Sequence, residues 1–452
     1  MAIEHTFYPT DEIDAVMQKA GRVFFIGIGG VSMRVLAEWT KRLGYSVFGS
    51  DHIGGSLAFC ERVFSEHRAE NIDGADVIVF TVAIGGDNPE YAAAKERGIP
   101  LFSRANYLAW LMKPYRTRIT VAGTHGKSTT TAMIGEILYR QGLSPLVICG
   151  AEMTTFGSAA YFGNGSIAVV EACEYKDAFL ALEPTVALAL NMELDHTDYF
   201  KSEAQLSDSF ARYADKAELC VYNREDEGLK SIVKGKTLSF GDRDQGADYF
   251  AKNVTETANG LCFTLYRRGE RITDGYLSQN GRYNLQNALA AIAACHAIGV
   301  PPRDAASALA EFRGVSRRME YKGRMGGILF YDDYAHHPSE IRASLRAARI
   351  RTGGHLICLF QSHTYTRTQH FEKEFAAALS LADSVALLPI FAAREREAEG
   401  ADLALAAAVG APLLHDASSA ASWILETARA GDTVIVMGAG NVNSVFSYLP
   451  LE

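Results

Sequence analysis

The chain has 452 residues, 48% of them hydrophobic and 21% charged, a globular balance long enough for about three domains at roughly 150 residues each. Its net charge of −9 argues against a nucleic-acid partner held on a basic surface, and leaves room for an anionic nucleotide in a local site. No apolar run reaches the ~18 residues that span a bilayer, the Met1-Ala-Ile-Glu-His-Thr6 start lacks signal-peptide order, and the seven scattered cysteines contain no CxxC pair. A cytoplasmic protein with reduced cysteines and no membrane partner is expected.

Strand-like runs alternate with helical patterns, which predicts α/β architecture with mainly parallel sheets. Residues 22–26 read as the first strand, 31–43 as a helix, and 45–48 and 75–81 as further strands, the opening of a dinucleotide-type fold. Between strand and helix, Gly27-Ile-Gly-Gly30 would let a diphosphate rest on a helix N-terminus through Gly27, Gly29 and Gly30, with Asp51 holding a ribose hydroxyl. Ser32 takes the last glycine position of GxGxxG, so a plain strand–helix turn stays open as an alternative. A nicotinamide dehydrogenase would also fit this module, yet it leaves the next motif unexplained.

A polar, Pro-containing stretch at 114–118 marks a boundary, and the strand 119–122 leads into Gly123-Thr-His-Gly-Lys-Ser-Thr129. This is a phosphate-loop pattern with two residues, not four, before its Gly-Lys pair. Gly123, Thr124, His125 and Gly126 let backbone N–H groups approach a polyphosphate, and Lys127 would neutralise its charge. The Ser128 hydroxyl suits Mg²⁺, and a helix starting near Thr129 would add its positive dipole end. Strands are expected at 167–170, 186–190 and 219–222, with Glu171 and Glu174 after the first and Asp195-His196 after the second. Ser128, Glu171 and His196 form a donor set that an ATP-dependent enzyme needs for Mg²⁺, although a strand-end acid taken alone is more often a helix cap.

Residues 236–277 look antiparallel, with turns at Asn259-Gly260 and Arg268-Gly269, and 284–298 form an Ala-rich helix. Asn284 either reads an adenine edge or caps that helix. A second boundary falls at 314–323, after which strands are expected at 327–331, 355–360, 384–390 and 433–437. Arg317-Arg318 opens this part, and Asp332-Asp-Tyr-Ala-His-His-Pro338 follows its first strand. His336 and His337, adjacent on an extended segment, diverge, so one shared ion is not expected. In Gln361-Ser-His-Thr-Tyr-Thr-Arg367, His363 and Arg367 suit a carboxylate clamp, or the segment is an ordinary polar loop. The domains so divided are 1–114, 115–316 and 317–452.

Taken in order, the Gly123–Ser128 loop, Glu171-Ala-Cys-Glu-Tyr175, Asn191 with Asp195-His196, Tyr283-Asn-Leu-Gln-Asn287, Arg317-Arg318, Asp332–Pro338 and Gln361–Arg367 resemble the Mur ligases of peptidoglycan synthesis over nearly the whole chain. The resemblance implies three domains: a Rossmann-like one for the UDP sugar, a central P-loop ATPase-type one with a mainly parallel sheet, and a Rossmann-like one that closes over ATP. It implies a ligase that uses ATP and Mg²⁺ to phosphorylate the carboxylate of UDP-N-acetylmuramate and passes the acyl group to L-alanine. Partners would be these small molecules only, and the chain a monomer or homodimer. By resemblance Lys127, Glu171, His196, His336 and Arg367 are catalytic, and Ser128, Glu171 and His196 serve Mg²⁺. Residues 123–129, Asn284, Arg317 and Asp332 take the nucleotide; Tyr334, His336, His363 and Arg367 face the amino acid; Gly27, Gly29, Gly30, Asp51 and Arg104 bind the UDP portion. Departures from the family pattern are Tyr283, Ser362, Thr364, Asn441, Arg34 and a short stretch between Asp51 and His67. The last two motivate alternatives: a sister ligase adding a recycled peptide, or a non-catalytic sensor of a nucleotide or sugar nucleotide.

Overall fold

Five short parallel strands form the first sheet of the computed structural model, which describes residues 6–52, 56–197, 199–393 and 395–452. They are β1 (Arg22–Ile26), β2 (Ser46–Ser50), β3 (Arg62–Phe64), β4 (Val77–Phe80) and β5 (Leu101–Ser103), in the order β3-β2-β1-β4-β5. β1 and β4 are almost wholly buried, which is why they read as continuous apolar runs instead of alternating ones. Phe24, Ile26, Ile78 and Phe80 pack with Ala93 and Ala94 of the helix Pro89–Glu96. The helix Val31–Arg42 opens at the carboxyl end of β1, as the glycine turn predicts. Of the stretch between Asp51 and His67, residues 53–55 lie outside the described residues, as do residues 1–5 of the N-terminal start.

The chain divides into two compact units, the first comprising residues 1–193, 204–239 and 293–300. Besides the N-terminal sheet it holds β6 (Thr117–Ala122), β7 (Leu146–Met153), β8 (Ser158–Phe162), β9 (Ile167–Glu171), β10 (Val186–Ala189), β11 (Leu219–Asn223) and the start of β12 (Thr237–Gly241). Their order is β12-β11-β10-β6-β9-β7-β8; β10, β6, β9 and β7 pair in parallel, and β8 returns antiparallel on β7. The helix Lys127–Arg140 is buried on every side from Ser128 to Leu138. Gly135 brings it close to β7: a Cβ there would lie 3.0 Å from Val147 Cγ2.

The second unit comprises residues 194–203, 240–292 and 301–452. Phe240 and Gly241, the end of β12, pair in parallel with Tyr249 and Phe250 of β13 (Tyr249–Thr257). β14 (Gly260–Arg267) and β15 (Glu270–Leu277) continue antiparallel. Arg268 (φ 48°) and Gly269 (φ 85°) make the second turn with both central residues left-handed, the signature of a type I′ hairpin. A further sheet has β16 (Glu320–Met325), β17 (Ile328–Asp333), β18 (Leu356–His363), β19 (Ser384–Phe391) and β20 (Thr433–Met437) in the order β16-β17-β20-β18-β19, parallel except for β16. Ile341, Leu345, Phe375 and Leu405 cover one face, and Ile424, Val442 and Val445 the other. Among the described residues no helix is long and apolar enough to cross a membrane, and no disulfide joins the cysteines.

Candidate functional site

The phosphate loop of the first unit is shaped by two glycines. Gly123 (φ 147°) and Gly126 (φ 84°) adopt conformations that L side chains avoid, and a Cβ at Gly123 would also lie 2.9 Å from Leu190 Cβ. The loop is stitched to the end of β10. Asn191 Oδ1 accepts from the His125 N–H (2.8 Å) and its Nδ2 donates to the His125 carbonyl (3.0 Å). Thr124 Oγ1 donates to the Glu193 carbonyl and accepts from the Glu193 N–H, each at 2.9 Å, while His125 Nε2 lies 2.9 Å from Glu193 Oε2. The helix starts at Lys127, two residues before the expected Thr129, so the buried Ser128 and Thr129 sit in its first turn.

Lys127 Nζ donates to the Thr124 carbonyl (3.1 Å) and to both Glu174 oxygens (3.1 and 3.0 Å). Burial alone would depress its pKa; Glu174, with Cys173 and Glu171 behind it, outweighs burial and holds it above the ordinary lysine value. Glu171 ends β9, and its Oε1 accepts from the Gly150 N–H of β7. The Cys149 sulfur lies 3.4 Å from that oxygen and 3.4 Å from the Ser128 carbonyl. Lys127, Ser128 and Glu171 are therefore gathered in one place. Ser128 and Glu171 supply the hard oxygen donors that Mg²⁺ favours, so these residues fit that ion.

At the N-terminal turn, Gly27 is left-handed (φ 82°) and the Gly29 N–H donates to Asp51 Oδ2 (2.9 Å). Asp51 thus engages the turn itself. Behind it, the buried Glu90 carboxylate accepts from Ser50 Oγ (2.6 Å), His67 Nδ1 (2.7 Å) and Asn71 Nδ2 (2.7 Å). Arg104 begins the helix Arg104–Met112 and is half-buried. Its charge acts on Cys173, whose thiol pKa is nonetheless raised, because burial and Glu174 outweigh Arg104 and Lys127. Arg34 is exposed on its helix.

In the second unit, the buried Asp195 receives Arg367 through Nη2 (2.9 and 3.1 Å) and Nε (3.1 Å). Burial would raise the Asp195 pKa, but Arg367, His196 and His336 hold it well below the ordinary carboxylate range. His196 follows at once in a left-handed conformation (φ 51°). Arg367 Nη1 also reaches the His363 carbonyl (3.2 Å) and lies 3.3 Å from His363 Nδ1. The expected carboxylate clamp therefore already grips one of the chain's own carboxylates. The His336 ring lies 6.0 Å from that of His363 and 5.4 Å from that of Tyr334. Its Nδ1 is 3.0 Å from the Tyr334 carbonyl, an acceptor only, so Nδ1 carries the proton and Nε2 the lone pair. Burial, opposed by Glu340 and reinforced by Arg367, lowers the His336 pKa to about 3.

His337 points elsewhere, capping the helix Pro338–Arg351, so the two adjacent rings diverge as expected. Arg317 Cζ sits 5.0 Å from the Tyr334 ring centroid, and Arg317 Nη2 donates to the Gly438 carbonyl (2.6 Å). Arg317 Nε and Asp332 Oδ1 are 3.5 Å apart, and both are buried with no hydrogen-bond partner among the described residues. Burial raises Asp332 to about 6 against the pull of Arg317. Asp333 is likewise raised to about 6 by burial against Arg318, and it accepts from the N–H groups of Met319 and Ala335 and from Ser344 Oγ. Asn284 is not a helix cap: its helix begins at Arg282, so Asn284 lies in the first turn, with Nδ2 donating to the Asn280 carbonyl (2.8 Å).

Sequence reasoning did not assign roles to Glu174, Asn191, Asp195, Cys149 or Gly150. Glu174 and Asp195 stood inside motifs already singled out, Glu174 three residues after Glu171 and Asp195 next to His196. Cys149 and Gly150 lie on β7, whose Leu-Val-Ile-Cys-Gly run carries no chemical signature.

A phosphate loop at the head of a buried helix, beside a strand-end glutamate, with two further α/β modules, defines a class of nucleotide-dependent enzymes. The chain belongs to the Mur ligase family: the family's catalytic domain matches residues 22–116, its middle domain 121–295, and its glutamate ligase domain 317–440. The UDP-N-acetylmuramate--L-alanine ligase of Caldanaerobacter subterraneus subsp. tengcongensis is 37% identical, covering 96% of this chain and 98% of its own. That of Acetivibrio thermocellus is 38% identical over 94% and 95%. Among solved structures, the UDP-N-acetylmuramate-alanine ligase from Thermotoga maritima superposes with a TM-score of 0.81 at 26% identity, covering 94% of this chain and 98% of that one. A murein peptide ligase from Psychrobacter arcticus, 22% identical, shares the fold (TM-score 0.71, 94% and 97% covered).

Proposed function

We propose that this chain is an ATP-dependent ligase that joins L-alanine to UDP-N-acetylmuramate through an acyl phosphate. The observation that carries the reading is the gathering of Lys127, Ser128 and Glu171 at the head of one buried helix, linked through Cys149. Full-length similarity to ligases named for this pair of substrates supports it. In the reaction the substrate carboxylate attacks the γ-phosphorus of ATP and ADP leaves. The amine of alanine then attacks the acyl carbon, loses a proton, and phosphate leaves from the tetrahedral adduct.

The chain's residues divide this work. The loop N–H groups and the first turn of the helix Lys127–Arg140 receive phosphate oxygens, and Lys127 keeps its positive charge for them. Ser128 and Glu171 would hold Mg²⁺, which supplies Lewis-acid stabilisation of the transferring phosphoryl group, and His196 is by resemblance a candidate imidazole donor. Arg317 Nε and Asp332 Oδ1 are a donor and an acceptor that one ribose hydroxyl would satisfy together. His336 stays neutral at physiological pH and offers its Nε2 lone pair to an amine. Arg367 anchors the Asp195–His196 segment and has Nη1 turned to His363. Gly27, Gly29, Gly30, Asp51 and Arg104 are the candidates for the UDP portion, and Tyr334 and His363 for the amino acid.

Phosphate release from ATP tests the reading. It is expected only with UDP-N-acetylmuramate and L-alanine together, and weaker with glycine or serine. Turnover with a tripeptide but not alanine would make the chain a sister ligase. Binding of the sugar nucleotide with no phosphate release across the panel would make it a sensor.

A further inference from the structure

Gly150, on β7, is exposed, and its backbone is not left-handed, so neither packing nor φ requires glycine there. A Cβ at this position would instead meet Glu171: Oε2 at 2.8 Å, Oε1 at 2.9 Å and Cδ at 3.1 Å are the nearest atoms. The Gly150 N–H already donates to Glu171 Oε1, and the Cys149 sulfur is 3.4 Å from the same oxygen. Among the described residues no hydrogen bond reaches Glu171 Oε2. One oxygen is thus tied to the strand edge and the other is left to present.

We propose that Gly150 is a positioning residue for Glu171: its N–H orients the carboxylate and its missing side chain leaves that carboxylate room, so that Oε2 is offered as a metal donor. The inference rests on the reading of Glu171 as a Mg²⁺ ligand. Groups that orient a metal ligand typically change metal affinity about 10–100-fold when altered. Cys149 plays the lesser part, because a thiol is a weak donor.

Gly150→Ala isolates the effect. Alanine suits the backbone there, and the group it displaces is the end of a flexible side chain, so the Tm should match wild type. Free Mn²⁺ measured by electron paramagnetic resonance in the presence of ADP should show binding weakened about tenfold. The Mg²⁺ concentration needed for half-maximal phosphate release should rise by a similar factor, with kcat largely restored at saturating Mg²⁺. Cys149→Ala should give a smaller loss in the same assays, and Glu171→Gln a larger one. Wild-type Mn²⁺ affinity in Gly150→Ala alongside weakened binding in Glu171→Gln overturns the inference and leaves the ligand reading standing. Unchanged affinity in Glu171→Gln overturns both. A fall in Tm accompanying weaker binding in Gly150→Ala also counts against it, because the fold and not the carboxylate would then have yielded.

Discussion

The partly buried phosphate loop and the buried Asp195–Arg367 pair both hold proposed catalytic groups, yet they are built from different forces. The loop is fixed largely by neutral hydrogen bonds from Asn191 and Thr124 and by backbone turns that only Gly123 and Gly126 adopt easily. The pair is fixed by charge: a carboxylate and a guanidinium, each about nine-tenths buried, satisfy one another. Neutral bonds give a shape that pH and salt barely touch. A buried ion pair gives directional order, at the risk that losing either partner strands a charge in low dielectric. Where the two designs meet, at Lys127 and Glu174, the loop borrows the second strategy to keep a lysine charged.

Breaking that meeting point should have the largest effect. Lys127→Ala should reduce phosphate release about 10²–10³-fold or more, and it should also destabilise the protein by removing the lysine partner of the buried Glu174 carboxylate. Lys127→Met with Glu174→Leu should regain the Tm without regaining turnover; if activity returned as well, Lys127 would be structural only. Next, Arg367→Ala should cost roughly 3–5 kcal/mol in urea unfolding, whereas Arg367→Leu with Asp195→Leu should recover most of it. A cost below about 1 kcal/mol for the single variant would put this pair with ordinary surface ion pairs and erase the contrast.

The contrast sharpens with pH. His336, at about 3 in the folded chain, lies below its ordinary 6.5, so the unfolded chain binds the extra proton between those values. Its contribution is present above about pH 6.5 and is lost as pH falls toward 3, amounting to about 2 kcal/mol lost at pH 5. Asp332 and Asp333, raised to about 6 from 3.8, act with the opposite sign: their contribution is present below about pH 3.8 and lost as pH rises through 6. Acidifying His336→Gln from pH 7 to 5 should therefore cost less stability than acidifying wild type, as read by unfolding midpoints. Equal losses would show that the imidazole is not kept neutral. The smallest effect belongs to the loop: Thr124→Val removes two bonds to Glu193, should cost roughly 1–2 kcal/mol, and should do so equally at pH 5 and 7.

The same distinction governs what could be read from the sequence. A loop that needs left-handed glycines, a lysine and a hydroxyl in consecutive positions writes them side by side, and Gly123 to Ser128 was legible for that reason. The buried parallel strands were legible too: β1 and β20 match their expected bounds, and most others differ only at the ends. Partners brought together by folding were not. Asp195 and Arg367 stand 172 positions apart, and nothing local in either motif names the other. β7 went unread because its function is carried by a backbone N–H and by the space above a glycine. Asn284 was placed at a helix start that in fact falls two residues earlier, after the left-handed Gly281.

The Asp51 carboxylate on the Gly29 N–H has a consequence for selectivity. It is a tethered anion resident at the very donor a diphosphate would seek, and tethering gives it a high effective concentration there. A phosphate arriving at that N–H meets an incumbent, so its net affinity is an exchange energy. Weak anions would lose that exchange, and only a ligand with further contacts along the turn would win it.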